Sequence, residues 1–446
     1  MTGELCSDGR GVVALLALLL WPGLVVVRSP GSVVPFLSLS FWLLSWWWVP
    51  AGRERSSFLG AALLFFVVLS LLRVLKPLPS WPPSSRTLSV FSLGLLCLLP
   101  ILWLPVAPGL SLASTEARLV AWREGLPATY EPLMPISAFG AHAPGLPLLA
   151  ADVVLLSGLA PHRAVLLVAL AACGLLVLAV DTLLSRMGRP RFGLAFALAQ
   201  VVAIVTFEGL RGEFALPGPA ILAAALGLVS LGLLVRGSGR SPAVAAGALL
   251  GAAFTVQALV ALPLATAMAF VGSRPRRHLA LVLGLGFAGP RLESTLRAIS
   301  AAEVRGAPAE LLELHPRGEG LPDKEALGAM AWVRDHTDPL AQVCVGPGSA
   351  GRWLPAVAGR RIVPAEVPWI YRDELRSPIA SCELAMLFAP FDLPRSPLDP
   401  SRAPFVPRRW RTVFEGRSAR VLAPANVEDS MTSFDTREGN PDASPP

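Results

Sequence analysis

"PAVAAGALLGAAFTVQALVALPLATAMAFVG", residues 242–272, decides the fold. It carries no charge, yet it is too long for one membrane helix, which needs roughly 17–25 apolar residues. It also turns polar at its middle, at Thr255 and Gln257. Arginines flank both ends: Arg236 and Arg240 before, Arg274, Arg276 and Arg277 after. Arginine collects on the cytoplasmic side of membrane spans. With both flanks on that side, the stretch has to cross and return, as a hairpin of two short helices.

Other apolar runs lie at 11–28, 31–50, 57–75, 87–107, 163–185, 191–208, 216–236 and 278–290. Counted with the hairpin they make about ten spans. The first run has a weak charged leader and further spans behind it, so it reads as a retained helix. Composition agrees: 53% of residues are hydrophobic and 15% charged, against about 25% charged in soluble domains. The net charge of +7 comes almost wholly from arginine, because Lys76 and Lys324 are the only lysines. That excess points to membrane orientation and headgroup contact. Nucleic-acid binding is disfavoured, since no basic cluster alternates with stacking aromatics.

The loops "SRMGRPR" (185–191) and "GSRPRRH" (272–278) are the strongest positive-inside signals. Holding both in the cytoplasm puts residue 160, "EGLRGEFALPG" (208–218) and everything after 290 outside. A long polar stretch, "STEARLVAWREGLPATYEPLMPISAFGAHAPG" (114–145), is then also outside, provided that "PGLPLLAADVVLLSGLAP" (144–161) does not cross. The latter is expected to be a juxtamembrane or re-entrant helix. Asp152 and Asp181 lie near helix ends and are expected to be hydrated or arginine-paired, because charge inside lipid is expensive. The expected organisation is N-terminal transmembrane helices over 1–107, an extracytoplasmic loop with juxtamembrane helices over 108–161, and a transmembrane helical core over 162–290. An extracytoplasmic domain follows over 291–425.

After residue 290 the pattern changes. The helix "DKEALGAMAWVRDHT" (323–337) precedes strand-like runs "AQVCVG" (341–346), "RRIVPAE" (360–366) and "CELAMLFAP" (382–390). "WRTVFEG" and "SARVLA", split at the turn "GRS", read as a hairpin. Such alternation indicates a small α/β unit. The tail, 426–446, has the composition of disorder. The fold class expected is therefore mainly α: a polytopic transmembrane bundle followed by a small α/β domain.

Catalytic motifs are sparse. "GPGSAG" (346–351) fits GxGxxG, but Pro347 stiffens the turn and no real helix follows, so a glycine turn closing a strand is preferred over a nucleotide site. The five histidines have no metal-ligand spacing, and the five cysteines form no CxxC pair. Cys344 and Cys382 are able to pair if their region is outside the cytoplasm. No GxSxG nucleophile setting occurs. Two polar clusters remain. One is Glu116, Arg118, Trp122, Arg123, Glu124, Tyr130, Glu131 and His142; the other is Glu208, Arg211 and Glu213. A carboxylate at the membrane edge, beside arginines, is able to deprotonate a hydroxyl while arginine holds a phosphate. The competing reading is a solvated interfacial helix, because "EARLVAWREGLP" is amphipathic.

Four pieces carry a resemblance: "TEARLVAWREGLP" with "HAPGLPLLA", "TFEGLRGEFALPGPAILAAALGLVSLGLLVRG", "AGALLGAAFTVQALVALPL", and "EALGAMAWVRDHTDPLAQVCVGPGSAGRWLPAVAGRRIV". Together they resemble the polytopic membrane glycosyltransferases of the C-type (GT-C) superfamily, including mannosyl- and arabinosyltransferase-like members, which take sugars from polyprenyl-phosphate donors. The resemblance implies an inverting hexosyl or pentosyl transfer outside the cytoplasm of a bacterial-type inner membrane. It implies Glu116 as the general base, where the family more often has Asp. It places substrate contacts at Arg118, Arg123, Tyr130, Glu131 and His142, and a phosphate or divalent-cation (Mg²⁺ or Mn²⁺) site at Glu208, Arg211 and Glu213. The implied partners are a lipid-linked sugar and membrane lipids. Four spans precede the loop where the family commonly has one, so an inactive relative that binds a lipid carrier or serves envelope assembly is the alternative.

Overall fold

A computed structural model describes residues 2–26, 32–45, 52–74, 110–122, 145–188, 219–236, 240–287, 322–345, 351, 353–364, 383–388 and 410–424. The chain divides into two compact units. One comprises Met1–Leu321 with Arg352–Gly359, the other Pro322–Gly351 with Arg360–Pro446. The described residues are mainly helical.

The first unit is helical. Among its described residues the helices are α1 (Thr2–Val26), α2 (Val34–Leu44), α3 (Gly52–Val74), α4 (Leu110–Ala121), α5 (Gly145–Ser157), α6 (Pro161–Arg186), α7 (Pro219–Arg236), α8 (Arg240–Val256), α9 (Ala258–Met268), α10 (274–287) and α12 (Leu354–Ala358). Among the described residues α6 alone is long and apolar enough to cross a membrane; α2, α5, α8 and most of α1, α3 and α7 are shorter apolar helices. The runs expected to span at 87–107 and 191–208 lie outside the described residues.

The opening stretch is broken where its polar residues predicted. Gln257 takes an extended conformation, φ −157°, and separates α8 from α9. The two helices then run back alongside each other. Ser230 of α7 donates to Ala246 O of α8 at 2.6 Å and lies 3.3 Å from Met268 Sδ of α9. One hydroxyl therefore touches the middle of α8 and the end of α9, as only a hairpin permits. Helix α10 returns parallel to α8 on a glycine seam. A Cβ built on Gly247 would stand 2.7 Å from Leu283 Cβ, one on Gly251 2.8 Å from Phe287 Cβ, and one on Gly284 2.6 Å from Leu250 Cδ2. Gly247 and Gly251 form a GxxxG pair, the pattern that brings helix backbones close in membranes.

Helix α5 is about 20 Å long at 1.5 Å per residue, short of the ~30 Å hydrocarbon core. It is buried nearly all round, from Gly145 to Val154, against α1, α2, α3, α4, α6, α7 and α8. Gly158, at φ 70°, stops it in the left-handed conformation that ends many helices. Three residues later Pro161 occupies the first turn of α6, where its missing N–H costs nothing. Asp152, midway along α5, is ion-paired with Arg55 of α3; both are fully buried.

The second unit holds α11 (Lys324–His336) and, among its described residues, strands β1 (Gln342–Val345), β2 (Arg361–Pro364), β3 (Leu384–Phe388), β4 (Trp410–Glu415) and β5 (Ala419–Pro424). They form one mixed sheet in the order β2-β1-β3-β5-β4. Strand β1 is parallel to β2 and β3, and β5 is antiparallel to β3 and β4. The expected closing hairpin is β4–β5, sealed by Gly416 N–H to Ala419 O at 2.8 Å. Helix α11 packs on β4 and β5. Asp323 caps its start by accepting from Ala326 N–H at 2.8 Å. Arg360 donates to Arg334 O and Thr337 O at its end. Cys344, buried in β1, is disulfide-bonded. Cys173 is buried and free.

Candidate functional site

Helix α4 carries the predicted base. Ser114, Thr115, Ala117, Leu119, Val120 and Ala121 are buried, and Glu116 and Arg118 are half-buried. The helix packs on α3, α5, α6 and α12. A solvated interfacial helix would leave one broad polar face in water, and α4 does not. Its apolar spacing reflects neighbours on several sides.

Arg118 has a specific task. Its Nη1 donates to Val357 O at 2.8 Å and Ala356 O at 3.3 Å, two carbonyls at the C-terminal end of α12. A helix end leaves such carbonyls without intrahelical partners, and a cation suits the negative end of the dipole. The guanidinium also stands 5.1 Å from the Trp122 ring centroid, within cation–π range. It thus joins α4 to α12.

Helix α12 is built from "WLPAVAG" (353–359), the segment that carried the most specific part of the resemblance. Trp353, Leu354, Pro355, Ala356 and Ala358 are buried. The Trp353 ring meets the His162 ring edge-on at 6.0 Å, which lays α12 over the start of α6. Gly359 has φ 68° and donates its N–H to Pro355 O at 3.0 Å, closing the helix. A Cβ there would stand 3.0 Å from Arg118 Nε, so glycine is required twice, for backbone angle and for room. Nearly every residue of the motif has a packing role. Among the described residues the buried Trp353 indole N–H has no acceptor.

Of the predicted site residues, Glu116 and Arg118 lie within the described structure, two positions apart on α4. Arg123, Tyr130, Glu131, His142, Glu208, Arg211 and Glu213 lie outside the described residues. Among the described residues no group of three His, Cys, Asp or Glu side chains comes together to hold a metal. Sequence reasoning missed the Arg118–α12 and His162–Trp353 contacts, because nothing local in either segment names a partner some two hundred residues away.

No known family model matches the chain, and no curated protein matches it.

Proposed function

We propose that the chain is a polytopic membrane glycosyltransferase of the GT-C type, transferring a sugar from a polyprenyl-phosphate donor to an acceptor hydroxyl outside the cytoplasm. Glu116 takes the acceptor proton as the anomeric carbon inverts. The observation that carries this reading is the seating of α12 on α4 through Arg118. It joins two separate pieces of the resemblance beside the one predicted base. Because Arg118 Nη1 is committed to carbonyls, the phosphate falls to Arg123 or Arg211. Any Mg²⁺ or Mn²⁺ falls to Glu208 and Glu213.

The multi-pass reading draws on surface chemistry. Val13, Leu64, Leu71 and Val282 are each more than 55% exposed on helices whose other sides are packed. Water would penalise that arrangement, whereas lipid favours it. The disulfide at Cys344 suits an oxidising compartment and supports an extracytoplasmic position for the α/β unit.

Glu116→Gln, assayed with lipid-linked sugar in membranes, should lower transfer about 10²–10⁴-fold while leaving folded protein in place. Unchanged transfer refutes the assignment. One observation favours the second reading, a non-catalytic relative that binds lipid carriers: Arg118 serves packing rather than a ligand. Under that reading a deletion strain accumulates no lipid-linked sugar donor.

A further inference from the structure

The helical unit gathers its basic helix ends at one place. A Cβ on Gly232, near the end of α7, would stand 3.4 Å from Arg186 Cδ, at the end of α6. One on Gly272, in the turn after α9, would stand 3.1 Å from Leu234 O, also near the end of α7. Arg240 begins α8 and Arg274 begins α10, and these two helices run parallel with Gly247 beside Ala280. Counting back six or seven residues from that contact puts both arginines at the same level, about 10 Å away along the axes.

Among the described residues no carboxylate pairs with these arginines. Residues 214–292 contain neither Asp nor Glu. Asp181, one and a half turns before Arg186 on α6, is buried and already partnered. Arg186 is half-buried and makes no hydrogen bond or ion pair with the described residues. Arg240 and Arg274 are exposed, Arg277 is half-exposed, and among the described residues the Arg276 side chain bonds only the Ser273 hydroxyl, at 2.8 Å. A half-buried guanidinium without an anion has lost water and gained nothing, and the planar fork of arginine matches phosphate oxygens in pairs.

We propose that this end of the helical unit binds the phosphate headgroups of anionic phospholipids, with Arg186, Arg274, Arg276 and Arg277 as ligands and Arg240 beside them. The inference rests on the multi-pass reading above, since only a bilayer presents headgroups at the ends of these helices. The cluster is then a fixed lipid site that anchors α6, α7, α8 and α10, in addition to setting orientation. Each cation should contribute about fivefold to the preference for anionic lipid.

The test uses the full chain purified in neutral detergent, with thermal unfolding followed as phosphatidylglycerol, phosphatidylcholine or inorganic phosphate is added. Phosphatidylglycerol should raise the midpoint, and the other two should not. The variant R186Q/R274Q/R276Q/R277Q should lose that preference by about two to three orders of magnitude, and its all-lysine counterpart should keep part of it. If the four changes prevent folding, R274Q/R276Q, at the start of α10, reads the same effect at smaller size. A variant retaining the full preference overturns the proposal, as does equal stabilisation by phosphatidylcholine. Stabilisation by inorganic phosphate alone assigns the site to a soluble anion and also overturns it. Retention of the wild-type chain in membranes after an alkaline carbonate wash tests the multi-pass reading separately.

Discussion

Arg55 and Asp152, 97 residues apart, form a two-point ion pair with no solvent exposure on either side chain. Arg55 Nε reaches Asp152 Oδ1 at 2.8 Å and Nη2 reaches Oδ2 at 2.6 Å. Nη1 donates to Ser45 Oγ at 2.7 Å, and the guanidinium lies 5.6 Å from the Phe58 ring. The pair pins the start of α3 to the middle of α5 and to the end of α2. Fork-to-fork geometry fixes angle as well as distance, which sets the register of three helices otherwise held by interchangeable apolar contacts.

Removing one partner should therefore be far worse than removing both. Asp152→Leu or Arg55→Met leaves a buried charge uncompensated, a loss of about 3–5 kcal/mol. The double variant should regain most of it. Thermal unfolding of the detergent-extracted chain measures this, and additive losses would show that the pair is not coupled.

The glycine seam predicts a contrast within α10. Gly284→Leu forces a side chain into Leu250, where even a Cβ meets Cδ2 at 2.6 Å. Overpacking of this kind costs about 1–3 kcal/mol. Gly286→Leu, two residues on, meets nothing within 4 Å; it should be neutral or mildly stabilising, by up to about 1 kcal/mol from helix propensity. Equal losses at both positions would place α10 elsewhere.

Arg118 and Gly359 should behave as a coupled pair. Arg118→Met strips the cation from two carbonyls, about 1.5–3 kcal/mol. Gly359→Ala strains a left-handed backbone position, about 1 kcal/mol or more, and presses on Arg118 Nε. A double-mutant cycle should show a coupling of about 0.5–3 kcal/mol, read from the unfolding midpoints. Strict additivity would separate the two residues.

The α/β unit should show an acid limb from Asp323. The Ala326 N–H, then the Ser418 hydroxyl at 2.7 Å, hold its carboxyl below the ordinary range. A depressed folded value means that the stabilisation is fully present above the unfolded value, about 3.9, and is lost as pH falls through the lower folded value. Asp323→Asn keeps the cap and should flatten that limb. Asp323→Ala should cost about 1 kcal/mol at neutral pH. Comparison of melts at about pH 7 and about pH 3 separates the two variants.

Local patterning was enough for much of this architecture. The length of 242–272, its polar centre and its arginine flanks demanded a hairpin, and α8 and α9 form one about Gln257. The strand-like runs that form β1, β2 and β3, the "GRS" turn and the Asp323 start of α11 were equally readable, because strand alternation, turn residues and helix caps act within a few positions. The site was legible only as a segment. Glu116 stood out as a carboxylate in a polar loop between apolar runs, whereas the employment of Arg118 did not show.

What the tertiary structure alone decided is pairing across distance. Residues 144–161 looked apolar enough to cross or to lie flat; burial on every side makes α5 an interior helix. Nothing in the sequence singles out Arg55 among the arginines; its carboxylate comes from α5. Gly247 and Gly251 lie in the opening stretch, but only the folded backbone shows that they meet α10. The physical reason is common to all three. Periodicity and capping are set by neighbours in the chain, whereas an ion pair, a glycine seam and a capped helix end each require a partner that only the folded backbone delivers.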